Sequence, residues 1–268
     1  MPLPSPENFD GRLEAKRFGW ILQDSSWNEW YKIHGGCGLS RRLLHLVSQI
    51  TYCAARFHQY PETFTTPTTV EYLERYLKEM RQWNGESTTD WEAAKMNPPE
   101  IDMIRTLPEG YVISSSNAMI NATAEAWRIA VIIYLQCRLL RLSRNDAQVL
   151  ANMSDLAKCI SIMPTSGDLF TAQAPLFPVF LLGMLATEPQ HKETARKWFE
   201  AVAETPARNS VPVLYESLKR IWSWIDRELV MTDFMVVEPH TLIKDRRSWW
   251  EDVVARIYET EDQVLCLT

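Results

Sequence analysis

Glycine is scarce in this 268-residue chain: nine residues, three of them in the short stretch Gly35, Gly36 and Gly38. So few elsewhere argue against hairpin-rich sheets and phosphate-cradling loops, both of which need glycine at fixed turn positions. Cysteine is sparse as well. Cys37, Cys53, Cys137, Cys159 and Cys266 are widely spaced with no Cys-x-x-Cys pair, and no basic-then-apolar leader follows Met1, so the expectation is reduced, intracellular thiols. Long apolar runs are missing too. The longest, Pro175 to Ala186, is interrupted by Pro178 and falls short of the roughly 18 residues that suggest a membrane span. Positive charge is neither abundant nor concentrated, since the formal net charge is −6 and Arg41-Arg42 and Lys244 to Arg247 are the only local clusters. Direct nucleic-acid binding by this chain is therefore not expected, because a phosphate-binding face needs dense cations.

What the chain does have is apolar mass: 46% hydrophobic residues and 11 tryptophans, enough for a substantial core. The spacing of that mass is helical. Leu43, Leu46, Val47, Ile50, Cys53, Ala54 and Phe57 recur at three and four residues behind a Ser40 cap, with Arg42, Gln49 and Arg56 on the other face. Thr68 and Glu71 have the spacing of a capping box and open a helix over about 69–83. The span from Asn121 to Leu142 holds an apolar run from Ile129 to Leu135 and reads as a central helix. Asn145 caps a further helix that Met163-Pro164 stops, and an apolar helix over about 177–187 ends at Glu188-Pro189. Amphipathic helices follow over Gln190 to Glu204 and Ser210 to Leu229, and a Ser248/Glu251 capping box opens a last one with Val253, Val254, Ile257 and Tyr258 inward. The predicted fold is all-α: an irregular multi-helix domain of about eight helices with no significant sheet. It fills 19–268 as one unit behind a loose Pro-rich leader over 1–18, with a loop-rich connection over about 84–116.

No catalytic or metal motif stands out. Gly35-Gly36-Cys37-Gly38 beside His34 could hold a nucleophilic thiol with His45 or His58 as base, but nothing supplies an orienting group, and the same letters describe a flexible turn before the Ser40 cap. His34 and Cys37 lack the second ligand pair a structural zinc needs. Glu125, Glu204, Asp226 and Glu228 read mainly as solvated charge rather than a carboxylate pair, with Asp226 near Arg227 and Lys219. Trp249-Trp250 could form an interaction patch, although the helical period leaves at most one of them outside.

Four segments together resemble a known family. WYKIHGGCGLSRRLLHLVSQITYCAAR (30–56), AEAWRIAVIIYLQCRLL (124–140), LFPVFLLGMLA (176–186) and the terminal WWEDVVARIY followed by LCLT are similar to the C-terminal regulatory region of fungal zinc-cluster transcription factors, the fungal-specific transcription factor domain. The resemblance implies a nuclear, non-enzymatic effector domain. It also implies that zinc belongs to a six-cysteine DNA-reading module that is absent from these residues, so no cofactor is expected here. Its partners would be an apolar small molecule, a transcriptional co-regulator or a second copy of the chain. Trp127, Tyr134, Phe177, Phe180, Met184 and Trp222 lie on the helices expected to meet centrally and are the candidate walls of a ligand pocket, with Gln136 or Gln173 as polar groups. Ordinary core packing is the competing reading of the same residues.

Overall fold

Ser40 sits in an extended conformation, and its Oγ accepts a hydrogen bond from the Leu43 N–H at 3.3 Å. This satisfies one of the donors that a helix start leaves open. Helix α1 (Arg41–Gln59) follows, with Leu43, Leu46, Ile50, Ala54 and Phe57 buried as the spacing predicts. The structure, a computed structural model, describes residues 17–23, 26, 28–60, 67–85, 91–171, 174–203, 210–233 and 241–261. Most of the expected leader, Gln173, Glu204, Cys266 and the terminal LCLT lie outside them.

Nine more α-helices follow among the described residues: α2 (Pro67–Glu79), α3 (Trp91–Met96), α4 (Glu100–Thr106), α5 (Ser116–Tyr134), α6 (Ala147–Ser161), α7 (Leu176–Leu185), α8 (Pro189–Ala203), α9 (Ser210–Asp233) and α10 (Trp249–Glu261). The only sheet among them is a pair of two-residue strands, β1 (Ile33–His34) and β2 (Leu39–Ser40), antiparallel with Ile33 opposite Ser40. The fold is thus mostly α, as expected. Gly38 closes the turn between the strands at φ 72°, and a Cβ there would stand 2.6 Å from Thr123 Cγ2 and 3.0 Å from Ala174 Cβ. Glycine is needed for both the backbone and the close approach to α5.

Helix α5 lies at the centre, packed against α2, α4, α6 and α7. The Ser115 Oγ accepts from the Ala118 N–H at 3.3 Å, which starts the helix earlier than the apolar pattern suggested. Buried Ala122, Ala124, Ala126 and Ala130 leave room for its neighbours. The span Ser116–Leu139 is long and apolar enough to cross a membrane by length and composition, but 78% of its most apolar window is buried inside the protein. It is a core helix. After Tyr134 the coil widens into a π turn (Leu135–Leu139), and Arg141 takes up the left-handed conformation at φ 54°. That costly geometry is held from outside: Arg141 Nη1 donates to the Lys244 and Arg246 carbonyls at 3.4 and 2.8 Å, and its guanidinium lies 4.2 Å from the Phe57 ring centre.

Several expectations are corrected. Asp146, not Asn145, caps α6, its Oδ1 accepting from the Gln148 N–H at 2.9 Å. Arg56 is inward, only 2% exposed, with Nη1 donating to the Tyr52 hydroxyl at 3.1 Å. Val254 and Tyr258 point outward at 43% and 66% exposure, while Trp249 and Trp250 are both buried. Trp249 Nε1 donates to the Leu142 carbonyl at 3.0 Å, and Trp250 meets the Tyr134 ring edge to face. The connection over 84–116 contains α3 and α4 and is anchored: Ile101, Ile104 and Ile113 enter the main core, and Trp91 packs on Trp83 in a small separate cluster. Helices of six and seven residues present under two turns, too short for a 3.6-residue period to emerge from sequence.

Helix α7 is buried along nearly its whole length, Phe177 alone being partly accessible. Pro178 is tolerated because it stands in the first turn, where its missing N–H has no helical partner to lose. At Gly183 three helices meet: a Cβ would lie 2.8 Å from Leu218 Cδ2 on α9 and 3.2 Å from Ala195 Cβ on α8.

Candidate functional site

The six expected pocket residues fall into packed groups. Trp127 and Phe177 stack with ring centres 5.1 Å apart, and Tyr134 meets Phe177 edge to face at 6.5 Å. Trp127 Nε1 donates to the Ala174 carbonyl at 2.5 Å, and the Tyr134 hydroxyl bonds Thr51 Oγ1 at 2.9 Å and Arg138. Phe180 and Met184 are buried on α7, and Trp222 Nε1 donates to the Gly183 carbonyl at 2.7 Å with Lys192 Nζ over its ring. Ring stacking, edge-to-face contacts and indole hydrogen bonds thus fix these side chains between the helices. None of the six lines either of the two clefts described next.

The larger cleft, about 920 Å³, opens between α6, α8, residues 108–112 and residues 162–166. Ser154, Lys158 and Ser161 come from α6, and Gln190, His191, Thr194, Lys197 and Trp198 from α8, because both helices turn their mixed faces to the same side. His191 forms part of the wall although it is only 1% exposed. Its Nε2 lies 3.1 Å from Ser154 Oγ and 3.5 Å from Glu188 Oε2, while Nδ1 has no hydrogen-bond partner. Burial lowers the His191 pKa, opposed by the Glu188 carboxylate, so the ring is neutral at neutral pH.

The smaller cleft, about 260 Å³, is polar: Gln82, Asn84, Asn97, Asn121 and Glu100 line it beside Trp83 and Met103. Burial first, and the Glu125 carboxylate second, push the Glu100 carboxyl up to about 7. Behind it, Glu125 and Arg128 form a buried ion pair at 2.7 Å. Glu125 Oε1 also accepts from the Ile101 N–H at 3.2 Å, at the start of α4, and Arg128 Nη1 donates to the Leu77 carbonyl at 2.8 Å, at the end of α2. Each charge has the sign that its helix terminus favours. Glu125 was expected on a solvated face, and it is buried instead. The Glu-x-x-Arg spacing inside an apolar helix was the available signal, since i,i+3 residues are neighbours.

The thiol reading gains nothing from the geometry. Cys37 is exposed in the strand turn, and His45 is buried and bonded to Arg42 at 3.3 Å. Cys137 and Cys159 are fully buried, which raises their pKa far from the reactive range. No group of three or more His, Cys, Asp or Glu that could hold a metal occurs among the described residues. Asp226 pairs with Arg144 and Lys192, at 3.3 and 3.8 Å, rather than with its sequence neighbours. The cleft residues His191, Ser154 and Thr194 were missed because each reads as an ordinary polar residue of an amphipathic helix; only the meeting of α6 with α8 assembles them.

Comparison with curated proteins and with solved structures gave no match. The model of the fungal specific transcription factor domain, a family tied to transcription regulation and in general not enzymatic, matches residues 6–266. Because that match covers nearly the whole chain, and the mostly helical fold agrees with it, the chain belongs to the fungal specific transcription factor domain family.

Proposed function

We propose that the chain is the regulatory, effector part of a fungal zinc-cluster transcription factor, acting in the nucleus and changing state when a small molecule or a partner protein binds. The observation that carries this reading is the family match over residues 6–266. The small-molecule branch is supported by the cleft of about 920 Å³ between α6 and α8, a size common among ligand sites. DNA reading and zinc would belong to a separate six-cysteine module, because the five scattered cysteines here cannot form one.

One cleft wall, residues 108–112, belongs to the connection that follows α4. At its α4 end this wall is tied to α6 by polar groups, Arg105 of α4 gripping Asp155 with Nε–Oδ1 at 2.9 Å and Nη2–Oδ2 at 2.6 Å and Lys158 Nζ donating to the Leu107 carbonyl at 3.0 Å, and at its other end buried Ile113 donates its N–H to the Ile162 carbonyl at 2.9 Å. The exposed polar contacts exchange readily with water, whereas Ile113 is a fixed point. A ligand that binds one arrangement of this wall better than another shifts the population by its differential affinity.

A constitutive interaction scaffold is the second reading, favoured by Val254 and Tyr258, both exposed and one turn apart on α10. Native mass spectrometry before and after organic extraction separates the two. A co-purified small molecule lost on extraction is the expected result; an apo dimer unchanged by extraction supports the scaffold and overturns the sensor.

A further inference from the structure

We propose that the smaller cleft, between the end of α2, the start of α4 and α5, binds a small zwitterion of the amino-acid class, its ammonium at Glu100 and its carboxylate at Arg81. The site is separate from the larger cleft and goes beyond the reading given above.

Two opposite charges line this cleft without meeting. Glu100, the first residue of α4, has neither a hydrogen-bond nor an ion-pair partner among the described residues. Arg81, just beyond α2, donates from Nη1 to the Glu79 and Met80 carbonyls at 3.0 and 3.2 Å, and no carboxylate of the described residues pairs with it. By contrast, Arg105 with Asp155 and Arg138 with Glu251 close pairs of 2.6 and 2.7 Å. An acid and a base that line one cavity and stay apart leave their charges for a molecule that carries both signs. Glu100 is poorly placed while the cleft is empty: burial and the Glu125 carboxylate push its carboxyl up to about 7. The Arg128 guanidinium is committed to Glu125 and to the Leu77 carbonyl, and the buried Cys159 thiol of α6 is neutral. A ligand ammonium supplies the missing positive charge.

The wall that carries Arg81 is fixed before a ligand arrives. The Trp83 N–H donates to the Tyr31 carbonyl at 3.0 Å, and the Trp83 carbonyl accepts from the Ile33 N–H at 2.9 Å. Gln82 is occupied by the Ser40 N–H and the Ala124 carbonyl, at 2.8 and 2.6 Å. Such preorganisation lowers the cost of binding. The side chains of Asn97 and Asn121 bond to no other described residue, and each offers a donor and an acceptor to a polar ligand side chain. The volume, about 260 Å³, lies below the roughly 300–1,000 Å³ of sites for drug-sized ligands, which restricts the occupant to a small molecule.

The test uses the full chain, with calorimetry and ligand-induced shifts in Tm, against L-glutamine, L-alanine and 4-aminobutyrate, and against propylamine and propionate as probes of a single charge. Saturable binding of at least one zwitterion is expected, with propylamine and propionate each weaker by about tenfold or more. Raising the pH from 6 to 8 should strengthen zwitterion binding, because Glu100 gives up its proton across that window while the ammonium keeps its own. Glu100→Gln preserves the shape; it should weaken zwitterion binding about tenfold and abolish the pH dependence without weakening propionate. Arg81→Met should weaken zwitterion binding likewise while sparing propylamine. Should Arg81→Met fail to fold, Glu100→Gln, which relieves an unpaired carboxyl, and the pH profile of the unaltered protein decide. Propylamine or propionate binding as tightly as the zwitterions, binding indifferent to Glu100→Gln, or no binding by any zwitterion overturns the assignment, and each leaves the reading of the larger cleft untouched.

Discussion

Helices α5 and α7 are both rich in apolar residues and both buried, yet they reach burial by different routes. Helix α7 contains no charged residue and meets its neighbours through the missing side chain of Gly183, where α8 and α9 come within contact distance. Helix α5 carries Glu125 and Arg128 into the interior and uses them to hold the start of α4 and the end of α2. The first arrangement depends on volume, and the second on charge balance. Perturbations of volume and of charge should therefore act on different parts of the molecule.

The largest expected effect is at the charge pair. Arg128→Met leaves Glu125 buried without its partner and should cost about 3–5 kcal/mol in a denaturant titration, with part recovered in the Glu125→Gln/Arg128→Met double variant. A cost near zero for the single variant would erase the contrast between the helices. In the apolar region, Gly183→Val forces a branched side chain against Leu218 and Ala195 and should cost about 1–3 kcal/mol, with no dependence on pH between 5 and 8 because no titrating group lies at that contact.

Glu100 gives a smaller, pH-dependent signature beside α5. Its carboxyl is raised from the ordinary 4.5 to about 7, so between these values the folded protein holds a proton that the unfolded chain has released. Stability falls as pH rises through that window, and the full deficit is present above it. Glu100→Gln should raise the Tm at pH 8 and leave it unchanged at pH 4. A gain at both pH values would assign the effect to packing instead. The smallest change is expected from Arg196→Ala on α8, whose partners Glu193 and Glu200 are surface carboxylates and whose loss should leave the thermal midpoint within error.

The long helices were legible because they are long enough for periodicity to repeat: the Ser40 start, the inward face of α1, and the Ala195, Trp198, Phe199 and Val202 face of α8 all follow from spacing. Helices α3 and α4 were not legible, and the buried setting of Glu125 and Arg56 was not either, since a charged residue shows its partner only once other segments are placed. The six aromatic and sulfur residues were placed on the right helices, but what surrounds each ring was undetermined by their spacing.

The sequence by itself determined that this is a helical, regulator-like chain with no catalytic motif, because helix caps, apolar periods and family segments are local properties of the letters. Only the tertiary structure decided where the clefts open. The larger cleft draws its walls from α6, α8 and residues 108–112, segments far apart in the chain, and His191 meets Ser154 only when those helices pack together.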